Sequence, residues 1–236
     1  MPQPVATLRD PLLSVVMPVF NESATIEDII RRVLAVPLRI QLIVVDDCST
    51  DGTRETLARL QEAHGFTLLL QPHNQGKGAA LRRGFAEASG DLVVIQDGDL
   101  EYSPEEFPML IELICQGRAD VVYGSRFLGR HRVFLFTHYL GNRLLTLAAN
   151  VLYNTMLSDM ETCYKAMRIG VLRSMVLRSN GFGIEPELTA KIFKRGYRVY
   201  EVPISYDGRG YDEGKKIGWY DGVVALWVLL RYRFSE

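Results

Sequence analysis

Three short apolar runs in this chain each end in carboxylates, and that repetition constrains the fold more than any other feature. Leu12 to Val19 leads into Phe20-Asn21-Glu22, Gln41 to Val45 leads into Asp46-Asp47, and Leu92 to Ile95 leads into Gln96-Asp97-Gly98-Asp99-Leu100-Glu101. Continuous runs of Leu, Val and Ile without alternation read as strands buried on both faces. Helical stretches of ten to fifteen residues separate them: one to about Ala35, one from Ser49 or Thr50 to His64, and one over Ala79 to Ala88. Ser23 or Thr25 is the expected cap of the first, and Ser103-Pro104-Glu105-Glu106 opens a fourth. Phe66 to Leu70 and Ala119 to Gly124 add two further strands. Strands alternating with helices imply βαβ units and a parallel sheet, whose ligand crevice lies at the carboxyl ends of the strands. An isolated Asp-Gly-Asp is more often an ordinary turn. Three acidic strand ends beside one crevice reverse that reading.

The rest of the composition mainly excludes. The chain has 236 residues, 47% hydrophobic and 23% charged, which suits one large globular domain. A net charge of −1 offers no electrostatic footprint for nucleic acid. The three cysteines, Cys48, Cys115 and Cys163, have neither disulfide nor zinc spacing. Met1 to Asp10 lacks the apolar core of a secretory leader, so a reducing cytosol is the expected compartment. Asn21-Glu22-Ser23 is then a coincidental sequon. No apolar run approaches the ~20 residues that span a bilayer.

The regular alternation ends near residue 125. Beyond it, Leu144, Leu145, Leu147, Ala148, Val151 and Leu152 form a helical apolar stripe, usually core and less often a membrane face. Thr162 to Arg168 and Tyr197 to Ile204 read as strands, and Glu185 to Arg195 as a helix. A polar segment from Ser205 to Lys216 precedes an aromatic, apolar stretch from Gly218 to Arg231.

The acidic strand ends allow a definite chemistry. Asp97 and Asp99 are hard oxygen donors suited to Mg²⁺ or Mn²⁺ holding a diphosphate. Asn21-Glu22 and Asp46-Asp47 can accept hydrogen bonds from ribose or base, and Phe20 can pack on a base. Gly76-Lys77-Gly78 opens a helix and adds an anion-friendly spot. P-loop, Gly-x-Gly-x-x-Gly, Gly-x-Ser-x-Gly and His-Glu-x-x-His patterns are all missing. A nucleotidyltransferase would place a basic, glycine-rich loop after the first strand, where this chain has the short acidic Phe20-Asn21-Glu22.

Four motifs carry a resemblance. Ser14 to Glu22, Val44 to Thr53, Asn74 to Ala79 and Gln96 to Glu101, in that order, resemble the family-2 glycosyltransferases. Over residues 12–232 the chain is similar to their polyprenyl (dolichyl) phosphate mannose or glucose synthase branch. The resemblance implies an α/β GT-A fold, a doubly wound and mostly parallel sheet with helices on both faces. It also implies one domain over 1–236, with a nucleotide-sugar half (12–125) and an acceptor half (126–236) carrying membrane-proximal helices. Pro18, Phe20, Asn21, Glu22, Asp46, Asp47 and Lys77 would serve the nucleotide. Asp97 and Asp99 match the metal motif, and Glu101 stands as a third carboxylate where mannose synthases often have Gln.

Arg126, Arg143, Arg209 and Lys215 fall at acceptor-phosphate positions, and Asp159 beside the acceptor. Met160 to Lys165 departs from the mannose synthases' Ser-Gly-Phe pattern. The implied reaction is inverting transfer of a hexose from a nucleoside diphosphate sugar, GDP-mannose or UDP-glucose-like, to a polyprenyl phosphate. The implied place is the cytoplasmic face of a membrane, peripherally. Three simpler readings stand beside this one. Asp159 would be the base if the acceptor were a hydroxyl, Arg126 and Arg143 would be surface ion-pair partners in a structural reading, and a binding protein would use the same fold without catalysis. Glu185 and Glu187 suit either a sugar contact or an acidic helix start.

Overall fold

The computed structural model describes residues 6–133, 135–209 and 218–235. Its first half follows the expected alternation: β1 (Leu12–Val19), α1 (Ile26–Ala35), β2 (Arg39–Asp46), α2 (Thr53–His64), β3 (Thr67–Leu70), α3 (Lys77–Glu87) and β4 (Leu92–Ile95). A 3-10 turn, Pro104–Glu106, leads into α4 (Phe107–Cys115) and β5 (Val121–Ser125). The second half holds α5 (Phe136–Tyr153), β6 (Lys165–Arg168), α6 (Ile169–Arg173), α7 (Ile184–Lys194), β7 (Val199–Pro203) and α8 (Trp219–Phe234).

The strands form one sheet in the order β3-β2-β1-β4-β6-β5-β7. β6 runs antiparallel to both neighbours, and every other pairing is parallel. The sheet is thus mostly parallel, as expected. β1 lies between β2 and β4, with Val19 opposite Asp46 and Val16 opposite Ile95. That register brings the three acidic strand ends side by side at one edge. The sequence order of these strands differs from their spatial order, so the crevice falls where helices leave on opposite faces.

Side chains of β1, β2 and β4 pack on both faces, and Val15, Val16, Val44 and Val94 are fully buried. α3 lies close on β1 and β2 because Gly84 leaves room: a Cβ there would stand 2.4 Å from Val16 Cγ1 and 3.1 Å from Val45 Cγ2. β-branched Val16 is restricted at χ1 and gives way only at a cost. Gly84→Ala is therefore expected to cost about 1–3 kcal/mol by overpacking. A thermal melt would show it as a fall of roughly 2–4 °C per kcal/mol.

Thr25 does not cap α1 with its side chain. Its hydroxyl bonds the Gly98 carbonyl at 3.1 Å instead, tying the first acidic loop to the third. α2 begins at Thr53, later than expected, because Cys48 and Gly52 both take left-handed backbone conformations. Ser49 and Thr50 serve Asn21 rather than the helix: the Asn21 N–H donates to Ser49 Oγ (2.9 Å) and the Thr50 N–H to Asn21 Oδ1 (2.8 Å).

The stripe on α5 divides in two. Leu145, Ala148 and Leu152 pack on the core, while Leu144, Leu147 and Val151 are exposed. α8 also splits, with Val228, Leu229 and Tyr232 buried and Val223, Leu226, Trp227 and Leu230 exposed. Among the described residues, no helix is long and apolar enough to cross a membrane.

Candidate active site

The three acidic loops border a cleft of about 840 Å³ whose far side is formed by α5 and α8. Pro18, Phe20, Glu22, Asp47, Lys77, Asp97, Asp99, Glu101, Arg126 and Arg209 line it. The chain thus gathers residues from sequence positions almost two hundred apart.

Asp97 and Asp99 are held by different cations. Asp97 Oδ1 meets Lys77 Nζ at 2.7 Å, and the same ammonium stands 3.4 Å from Glu185 Oε1. Burial alone would lower the Lys77 ammonium, but Asp97, then Cys163 and Glu185, hold it well above the ordinary lysine value. Asp99 Oδ2 meets Arg209 Nη2 at 2.5 Å. The Arg209 guanidinium also pairs with Glu22 at 3.1 Å, and its backbone N–H donates to Glu101 Oε1 at 2.8 Å. Glu101 Oε2 further accepts the Tyr206 hydroxyl at 2.8 Å. Burial, then the charges of Asp97 and Glu101, push the Asp99 carboxyl up to about 7, with Arg209 opposing.

Asp97, Asp99 and Glu101 offer oxygen atoms only, and burial, reinforced by the charges of Asp97 and Glu101, raises the Asp99 carboxyl. That donor chemistry fits a hard divalent cation. Here Lys77 and Arg209 supply the balancing charge, and among the described residues no three carboxylates already converge as a ligand set. Arg209 thus occupies the Asp99 oxygen that a cation would use.

Arg126 and Asp159 form a buried bidentate pair, Nε to Oδ2 at 2.7 Å and Nη2 to Oδ1 at 2.8 Å, and the Arg126 N–H also donates to Oδ2. Asp159 is fully buried and both its oxygens are engaged. The Arg126 guanidinium lies 5.2 Å from the Tyr206 ring centre, at the cleft wall. Arg126 is thus no surface ion-pair partner, and Asp159 holds it rather than standing ready as a base.

Several expected site residues lie elsewhere or are already engaged. Arg143 is exposed, outside the cleft lining, 6.0 Å from the Phe127 ring. Asp46 is fully buried and serves Arg54 and the backbone of Cys48 and Ser49. Asn21 knits the first two loops together, as described. Asp47 borders the cleft but accepts Gln71 Nε2 and the N–H groups of Gln75 and Gly76. Gly76 and Gly78 let the chain pass Ser179 and Asn180, since Cβ atoms there would come within 2.6 and 2.4 Å of carbonyl oxygens. The Ala79 N–H donates to one of those carbonyls, so the helix start is only partly open to an anion. Lys215 and the neighbouring Lys216 lie outside the described residues.

Other lining groups have little sequence signal. Glu161, Cys163, Phe182 and Tyr206 come from irregular segments, and only the unusual Met160 to Lys165 stretch hinted at them. Glu161 Oε1 is enclosed without a hydrogen-bond partner. Burial pushes its carboxyl up to about 7, Lys165 and Arg126 opposing while Glu185 and Asp159 reinforce the shift. A native-state value above the unfolded one means stability falls as pH rises from about 4.5 to 7. Comparing denaturant midpoints of wild type and Glu161→Gln is expected to show a flatter profile for the variant, by about 1–3 kcal/mol across that window.

Helices on both faces of a mostly parallel sheet, with acidic strand ends opening on a cleft, define the GT-A class of glycosyltransferase folds. The family described as Glycosyl transferase family 2 matches residues 14–175, and the chain belongs to it. It is 31% identical over 87% of its length to a dolichol-phosphate mannosyltransferase of Pyrococcus furiosus, covering 59% of that protein. It is also 31% identical over 86% of its length to an undecaprenyl-phosphate 4-deoxy-4-formamido-L-arabinose transferase of Aeromonas hydrophila, covering 62%. The chain thus spans about three fifths of these curated relatives. Glucosyl-3-phosphoglycerate synthase from Mycobacterium tuberculosis, crystallised with Mn²⁺, UDP-glucose and phosphoglyceric acid, superimposes with a TM-score of 0.73 at 26% identity, over 94% of this chain and 80% of that one.

Proposed function

We propose that this chain transfers a hexose, with inversion, from a nucleoside diphosphate sugar to a polyprenyl phosphate. The observation that carries the reading is the make-up of the cleft. Its sheet side is a dense arrangement of carboxylates and cations, and its helical side carries the apolar Leu144, Leu145, Val223 and Leu226 beside a few polar groups such as His138, Asn142 and Asp221. A ligand that fits both is ionic at one end and oily at the other. The relatives named for dolichol-phosphate and undecaprenyl-phosphate transfer support the same assignment.

Pro18, Phe20 and Glu22 would border the nucleoside, and Lys77 the diphosphate. Asp97 and Asp99, with Glu101 adjoining, would hold Mg²⁺ or Mn²⁺, whose role is to neutralise charge on the departing diphosphate. Arg209 would exchange its carboxylate partners for phosphate oxygens, a charge-assisted contact that planar guanidinium makes well. A phosphate monoester is already ionised near neutral pH, its second pKa being ~6. It needs orientation more than proton removal. Arg126, held rigid by Asp159, is suited to that orientation.

A second reading has one observation in its favour: the phosphoglyceric acid bound by the structural neighbour. Under it the acceptor is a hydroxyl and Asp159 the base, which the bidentate hold of Arg126 on both Asp159 oxygens disfavours.

The test is release of nucleoside diphosphate with Mn²⁺ or Mg²⁺ from a panel of nucleotide sugars, with a short polyprenyl phosphate, with phosphoglycerate or with neither. Turnover only with the lipid phosphate supports the proposal; turnover with phosphoglycerate alone replaces it by the second reading.

Leu144, Leu147 and Val151 of α5 and Trp227 and Leu230 of α8 are exposed apolar side chains on two helices that pack together, with Arg231 beside Trp227, and we read them as an apolar rim. Such a rim suits peripheral docking on a cytoplasmic membrane face. Val151→Glu, at a position 74% exposed, should leave folding unchanged. It is expected to lower turnover of a long-chain acceptor in vesicles about tenfold while sparing a short soluble one, with ~1 kcal/mol or more lost for each apolar side chain withdrawn from lipid.

A further inference from the structure

At the end of α7 away from the cleft lies a second, smaller cavity of about 120 Å³. Ser174 and Arg178 line it from the segment after α6, Lys191, Lys194 and Arg195 from the end of α7, and Ser235 from beyond α8. α7 starts at the cleft with Glu185 and runs for 11 residues, so roughly 15 Å of helix separates the two. The volume is well below the ~300–1,000 Å³ of a pocket enclosing a drug-sized ligand. It suits a small ion or a single headgroup.

The charge of this cavity is one-sided. Four cations line it and, among the described residues, no carboxylate does, in a chain whose 27 basic and 28 acidic side chains nearly balance. Lys191, 4% exposed, is held in place: its ammonium donates to the Val176 carbonyl at 2.5 Å and to Glu187, a buried carboxylate that offsets one of the four charges. Lys194 Nζ donates to the Ser235 carbonyl at 2.8 Å, and Arg195 Nη1 to the Lys191 carbonyl at 3.4 Å. Among the described residues, neither these two nor the exposed Arg178 forms an ion pair with a carboxylate. A basic last turn complements the negative end of a helix, which accounts for Lys194 and Arg195 taken alone. It does not account for Arg178, which comes from another segment, or for the cavity they share. Like charges gathered there repel one another until an anion joins them.

We propose that this cavity is a phosphate-binding site, separate from the reaction cleft, in which the guanidinium groups of Arg178 and Arg195 grip the anion and Lys194 adds charge. A guanidinium fork matches two oxygens of a phosphate at once. A phosphate monoester carries about −1.5 to −2 charges near pH 7, which answers the remaining cations better than the single charge of chloride or a carboxylate. The phosphate is either free or the headgroup of an acidic lipid, a source within reach because Phe234, beside Ser235, is 83% exposed. The site is independent of the sugar-transfer reading, since none of its residues lines the cleft.

The experiment titrates inorganic phosphate, by calorimetry at constant ionic strength, into wild type, Arg178→Lys and the double variant Arg178→Gln with Arg195→Gln. The cleft carries cations of its own, so the decisive quantity is the phosphate equivalent lost on substitution. Wild type is expected to bind one equivalent that the double variant binds ~100-fold more weakly, roughly tenfold for each guanidinium. Arg178→Lys keeps the charge but not the fork and should fall between them. Both residues are exposed, so the melting temperature without phosphate should hold, while added phosphate should raise that of wild type more than that of the double variant. Equal stoichiometry and affinity in wild type and double variant would overturn the proposal. Chloride binding as strongly as phosphate would overturn it too, by marking an ordinary solvated basic face. Flotation with phosphatidic acid or phosphatidylcholine vesicles then assigns the source. Retention on the acidic vesicles that inorganic phosphate displaces and the double variant loses identifies a lipid headgroup; equal retention of both proteins, with the phosphate equivalent still lost, identifies free phosphate.

Discussion

Replacing Asp99 by alanine is expected to lower kcat by about 10²–10³-fold or more, the range lost when a group stabilising transition-state charge is removed. The residue is only 6% exposed, and its neighbours Asp97 and Glu101 are both negative. Under the proposed function, deleting it removes a carboxylate that would hold the cation, and it frees Arg209 from its shortest partner. Stability should not suffer: taking one charge from a crowded acidic cluster relieves repulsion. Asp99→Asn separates charge from shape, since it keeps an oxygen and the backbone contact from the Glu101 N–H. Both variants should retain the wild-type melting temperature within a few degrees, measured beside steady-state turnover. Retained turnover in Asp99→Ala would mean that the acidic strand end is not the reaction centre.

The second large effect is on folding. Asp159→Ala leaves the Arg126 guanidinium buried without its partner, which typically costs about 3–5 kcal/mol. For a chain of this size that is a fall of roughly 10 °C in melting temperature. Arg126→Met alone should cost a similar amount for the mirror-image reason. The double variant, Arg126→Met with Asp159→Leu, removes both charges and is expected to recover much of that loss, because a buried pair is often replaceable by apolar groups of similar volume. Its turnover should remain low, since the group argued to orient the acceptor is gone. A double variant that turns over normally would reduce the pair to a structural tie.

The parallel sheet was legible because continuous apolar runs leave no other place for β1, β2 and β4 than a doubly covered core. The acidic crevice followed from the same pattern. Which carboxylates face it was not legible. Asp46 and Asp47 are adjacent in sequence, yet one is spent on Arg54 and the other on the glycine-rich turn. Their division depends on the left-handed turn at Cys48, which a Cys does not announce. Arg126 and Arg143 looked equivalent because sequence shows charge without partners; burial with Asp159 distinguishes them. Glu161 and Tyr206 lie in segments with no regular period, where neighbours are set by tertiary packing alone. The resemblance in the motifs reached the family, while the fine division of labour needed the side-chain partners.

The antiparallel insertion of β6 between β4 and β5 has a consequence for assembly. β4, which carries the acidic tip, pairs on one side with β1 and on the other with a strand some seventy residues later. Until that strand emerges during synthesis, an apolar edge lies open, and open edges invite pairing with other chains. A fragment cut after residue 125 should therefore be prone to aggregation despite containing most of the family motifs. The order in which the chain is made thus leaves the strand that carries the acidic tip without its second partner until β6 has been synthesised.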